Sequence, residues 1–180
     1  MTLHFVMRAS VFVTIVVGVA GIAMTTAAAK RKGQATSTSV GNTAISLPAG
    51  YRDWRLVSVA HEAGSFNDIR AILGNDIAIK AYRAGQLPFP DGTIIARVAW
   101  NYVPSEENNK VFGKDQSFVA GAPTNVQLMV KDSKKYAATG GWGYAQFTHG
   151  KADAVDAGKC YECHEPVKDR DFIFTQYAPS

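Results

Sequence analysis

Cysteine is scarce: the 180-residue chain carries two. That excludes a disulfide-stapled scaffold, so the fold must rest on an apolar core, for which a hydrophobic fraction of 47% is ordinary. No internal repeat is present, which makes one domain the default. A strong charge imbalance is missing too. Lys and Arg number 19 against 15 Asp and Glu, a net charge of +4, with no long basic run and little interleaving of basic and aromatic residues. Nucleic acid is therefore not an expected partner. Methionine and histidine are few: past Met24 the only methionine is Met129, and the histidines there are His61, His149 and His164.

What is present begins with an apolar N-terminus. Arg8 precedes a hydrophobic run from Val11 to Met24, and Ala27, Ala28 and Ala29 have the small-residue pattern of a signal-peptidase site. Residues 1–29 read as a signal peptide. The competing reading is an uncleaved anchor, favoured by the positive Lys30, Arg31 and Lys32 behind the run. Either reading places the globular part outside the cytoplasm, in a periplasm-like compartment. Residues 30–46 are small and polar and read as a flexible tether, leaving 47–180 as the domain.

Within the domain, "DWRLVSVAHE" and "FNDIRAILGN" read as short strands, the first with imperfect alternation. "DIAIKAYRAGQ" has helical spacing, with Asp76 as N-cap and Gly85 as C-cap. "GTIIARVAWNYV" is a long strand closed by Pro104, and "EENNKVFGKDQSFVAGAPT" reads as a polar loop. "NVQLMVKDS" and "WGYAQFTH" are two more strands, and "DAVDAGKCYECHEPV" is a short helix broken by Pro166. The expected fold is α+β: an antiparallel sheet with a few short helices, the C-terminal one carrying both cysteines.

Those cysteines form Cys160-Tyr161-Glu162-Cys163-His164. A thioredoxin-like redox pair would want a βαβ context, and structural zinc would want four ligands at finger spacing; neither pattern is present. Covalent haem accounts for all three residues at once. Two thiols one helical turn apart add to the porphyrin vinyl groups, and the adjacent His164 becomes the proximal iron ligand. Few residues follow His164, and none is Met or His. Met129 lies in a strand pattern, and His61 and His149 end strands, so an open, five-coordinate iron is expected over a closed electron-transfer site.

A C-terminal haem motif on a mostly β domain resembles the cytochrome P-460 family and its relative cytochrome c′-beta. The resemblance runs from "LPAGYRDW" through "FNDIR", "FPDGT" and "MVKDSKKY" to "CYECH" and the tail "DFIFTQYAP". It implies a monohaem protein with one haem c held by two thioether bonds, usually homodimeric, with a distal pocket open to nitrogen species. Members with a lysine cross-linked to the porphyrin oxidise hydroxylamine; members without it bind nitric oxide or carbon monoxide. Here Arg97 stands where the resemblance implies the lysine, and a guanidinium does not lose its proton to attack a porphyrin edge. Gln127 stands where it implies an acidic group, and an amide is no general base. Phe66 and Phe89 match positions of aromatic distal caps. The expected function is diatomic ligand binding, with hydroxylamine oxidation as the enzymatic alternative and electron transfer to a periplasmic partner as a third. Asp171, Phe172, Phe174 and Tyr177 are expected on the proximal side.

Overall fold

The structure, a computed structural model, describes residues 45–178. The signal-or-anchor segment and nearly all of the tether lie outside the described residues. Strands β1 (Arg55–Glu62), β2 (Asp68–Gly74), β3 (Ile94–Pro104), β4 (Phe118–Lys131), β5 (Trp142–Thr148) and β6 (Lys151–Ala152) form one sheet in sequence order. Every neighbouring pair is antiparallel. Helix α1 (Asp76–Ala84) follows β2, α2 (Glu106–Phe112) joins β3 to β4, and α3 (Ala157–His164) follows β6. The expected α+β architecture with an antiparallel sheet is what forms.

Strand alternation sorts side chains onto two faces. On one, Val57, Ile72, Ile95, Trp142 and Tyr144 pack beneath Ala78, Ile79 and Ala81 of α1, Ala157 of α3 and Ile173 of the tail. On the other, Ala96, Val98, Val126, Leu128, Ala145 and Phe147 are covered by Ile45, Leu47, Tyr51 and Trp54. Burying each large apolar side chain contributes about 1.5–3 kcal/mol. The imperfect alternation of β1 has a physical cause: the register with β2 shifts between Leu56 and Ser58. The extra residue is Val57, which turns into the core while Leu56 and Val59 stay exposed.

Two local expectations are corrected. The N-cap of α1 is Asn75, not Asp76. Its side chain accepts from the Ala78 N–H, whereas Asp76 sits in the first turn. The segment after Pro104 is not a loop throughout. Ser105 caps α2 by accepting from the Asn108 N–H, and the buried Asn109 accepts from Gln116 and Ser117 N–H and donates to the Ser117 carbonyl. This helix is held by a buried amide in place of an apolar stripe, so hydrophobic periodicity carries no trace of it.

Candidate functional site

Helix α3 opens with Asp156, whose carboxylate accepts from the Gly158 N–H, and closes at His164 where a 3₁₀ turn, Glu165–Arg170, begins with Pro166 near its start. One helical turn separates Cys160, half buried, from Cys163, exposed, and both are free thiols. Burial first, then the charges of Asp156 and Cys163, push the Cys160 thiol above its ordinary pKa, so it favours an uncharged sulfur. Among the described residues, no three His, Cys, Asp or Glu side chains converge to hold a metal ion, and His61 and His149 lie elsewhere on the surface.

The His164 ring is partly buried. Its Nδ1 lies 2.7 Å from the Phe172 carbonyl oxygen. A carbonyl only accepts, so Nδ1 carries the proton and Nε2 presents its lone pair. Burial draws the imidazole pKa below its usual value and the Phe172 bond opposes it, so the neutral, ligating form is favoured. Phe174 meets the ring edge-on at 5.0 Å between centroids, and Tyr144 of β5 lies 5.3 Å away. The Tyr144 hydroxyl is buried without a hydrogen-bond partner among the described residues, and burial pushes its pKa far up. An orphaned donor beside the cysteine helix and the ring of His164 fits a bound group with polar atoms of its own. The residues present therefore fit a covalently held haem.

Tyr144 pairs with Met129, and Met129 with Ile95. Two residues along the strands, about 7 Å away, the next row on the same face is Ile72, Arg97, Gln127 and Gln146. Arg97 donates from Nη1 to Asn125 Oδ1 at 2.8 Å and from Nη2 to the buried carboxylate of Asp68. Asp68 also takes Arg70, whose Nη1 pairs with Glu62 at 2.9 Å. Burial and then the neighbouring Arg70 draw the Arg97 pKa down, against Asp68 and Glu62. Gln127 donates to Gln146 Oε1 at 2.7 Å, and Gln146 and Thr148 both donate to Asp153, each at 2.8 Å.

Residues 48–175 match the Cytochrome P460 family. The chain belongs to the cytochrome P460 family. No curated protein matches it. Membership makes it a monohaem c-type cytochrome, a family whose haem is bound covalently.

In this cytochrome Arg97 and Gln127 stand side by side, and Phe66 joins them indirectly. Its exposed ring lies 5.7 Å from the Arg70 guanidinium that shares Asp68 with Arg97. Phe89 stands apart. It is 5% exposed, edge-on to Tyr82 and Trp142 in the core, and its N–H bonds to Asp171. That placement supports packing over a distal cap. Met129 is packed against the core cluster, His61 stacks on Tyr102 at 3.8 Å, and His149 sits exposed in a turn with φ 50°. Of the tail residues, Phe172 and Phe174 contact His164, Asp171 bonds to Lys131, and Tyr177 lies against Tyr82 and Arg83. Sequence reading missed the parts played by Asp68, Asn125, Tyr144, Gln146 and Asp153. Only Asp68 gave a signal, as a charged residue opening an apolar strand.

Proposed function

We propose that the protein holds one haem c through thioether bonds to Cys160 and Cys163, with His164 as proximal ligand, and binds nitric oxide or a similar diatomic or nitrogen-oxide ligand on an open distal face. The bound haem supplies an iron that coordinates small ligands. The observation that carries this reading is the Arg97–Gln127 row. It offers hydrogen-bond groups and no imidazole or thioether, and its guanidinium is already pinned by Asp68 and Asn125. Arg97 and Gln127 orient and polarise a bound ligand, and Phe66 shields the rim.

The same row weighs against hydroxylamine oxidation, because it presents neither a cross-linking lysine nor a carboxylate base. The N-terminal segment supports action in the periplasm. The exposed Leu56 and Val59 on the edge strand β1 support a homodimer. Optical and electron-paramagnetic-resonance spectra of the ferric and ferrous protein test the open site. Ferrous protein should be high spin and should bind carbon monoxide or nitric oxide rapidly in one phase. A low-spin ferrous spectrum that changes in Met129→Ala, His61→Ala or His149→Ala would establish a sixth protein ligand and with it the electron-transfer reading.

A further inference from the structure

We propose that Lys131 and Asp171 are positioning residues for the axial imidazole, holding the Phe172 carbonyl against the His164 Nδ1–H and so setting how strongly the ring donates to iron. The proposal rests on the reading of His164 as the proximal haem ligand. Lys131 ends β4, and its side chain is only 6% exposed. Its Nζ lies 2.7 Å from Asp171 Oδ1, 3.3 Å from the Gly140 carbonyl and 4.9 Å from the centre of the Trp142 ring. The other Asp171 oxygen accepts from the Phe89 N–H at 2.8 Å. Both carboxylate oxygens are therefore fixed, inside the protein, to two separate segments, the end of β4 and the connection between α1 and β3.

A buried ion pair pays heavily in desolvation and is weak evidence for stability, so its use must be sought in the geometry it specifies. That geometry is the next residue. Asp171 and Phe172 are successive residues with φ of 53° and 65°, a conformation that L-residues adopt only when their surroundings enforce it. This double left-handed turn aims the Phe172 carbonyl at His164. Two anchors enforce it. Lys131 grips Asp171, and the Phe172 ring lies on Gly140, where a Cβ would collide with it. Gly140 is also the residue whose carbonyl accepts from Lys131. One ammonium thus ties the turn and the floor beneath it.

A hydrogen bond accepted from Nδ1–H raises the basicity of a ligating imidazole and stabilises the ferric iron relative to the ferrous. Loosening the turn should weaken that bond. The test uses purified holoprotein: wild type, Lys131→Met with Asp171→Asn, and Gly140→Ala, which leaves the charges intact but displaces the Phe172 ring. Covalent haem is counted first by haemochromogen spectrum. In both variants the ferrous iron–histidine stretching frequency should fall and the reduction potential should rise relative to wild type. A tail that is merely structural would move neither. Haem-loaded variants with wild-type frequency and potential would overturn the inference. Wild-type protein supplies a measurement independent of any variant's folding: the hyperfine-shifted His164 Nδ1 proton should exchange slowly with solvent, and rapid exchange would overturn the inference alone. Wild type without covalent haem would instead sink the parent reading, and the inference with it.

Discussion

Arg97 and Gln127 are direct partners across β3 and β4, and each is held from the side, Arg97 by Asp68 and Asn125 and Gln127 by Gln146. The row is therefore pre-organised before any ligand arrives, and it lacks the nucleophile and the base that cross-linking and hydroxylamine oxidation would use. Mass spectrometry of the wild type should show haem added through two thioether bonds and no third linkage. Turnover of hydroxylamine with an artificial acceptor should be negligible. Lys80 is exposed and Lys131 is committed to Asp171. A third covalent bond through any lysine would put the enzymatic reading first.

On the proposed reading, attachment and ligation are chemically separate on α3. Cys160→Ala with Cys163→Ala should yield protein with no haem that survives acid-acetone extraction. His164→Ala keeps both thiols and should keep attachment, while its ferric spectrum loses the signature of an axial imidazole. Haem retained by the double cysteine variant after extraction would show that other residues hold it.

The cysteine–histidine part of this site was legible because it is local. Cysteine spacing, the following histidine and the breaking Pro166 all fall within one helical turn or two, and the 3.6-residue period converts spacing into geometry directly. The Arg97–Gln127 row was not, because it depends on register. Nothing in "TIIARVAW" or "NVQLMVKDS" states that Arg97 faces Gln127, or that Asp68 from another strand reaches the same guanidinium; a one-residue slip would have put each on the opposite face. The resemblance supplied the positions of Arg97 and Gln127 but not their partners. Phe89 shows the same limit, since a phenylalanine between two prolines reads alike as a cap or as core. The left-handed pair Asp171–Phe172 was equally hidden, because neither residue type announces a positive φ.

Asp153 gives the Gln127–Gln146 network a pH dependence. Hydrogen bonds from Gln146 and Thr148 hold its carboxyl below the ordinary range. A carboxyl with a depressed folded-state pKa stabilises the protein above its unfolded value, about 4. That contribution disappears as pH falls through the lower folded value. Urea unfolding across a pH series should show wild type more stable than Asp153→Asn above about pH 5, with the two curves converging in acid. Parallel curves at every pH would mean the carboxylate contributes nothing as a charge. Gln146 and Thr148 both donate to one oxygen, Oδ2, so an asparagine with its carbonyl in that place keeps both acceptors and removes only the charge.

The buried pair of Lys131 and Asp171 should show its coupling in stability as well as in the iron. Lys131→Met leaves the Asp171 carboxylate buried with only the Phe89 N–H and no countercharge, a change that costs about 3–5 kcal/mol in comparable buried pairs. Asp171→Asn retains an acceptor for Phe89 but strands the ammonium, so it should be destabilising by a similar mechanism. The double variant removes both charges while the asparagine still accepts from Phe89. It should therefore lose much less than the sum of the two single losses, which a double-mutant cycle in urea reads directly. Additive losses would show that the two side chains act independently despite their 2.7 Å separation. Strong coupling together with an unmoved iron–histidine frequency would confine the pair to holding the tail in place, whereas coupling in both measurements ties the stability of the turn to the electronic state of the ligand it serves.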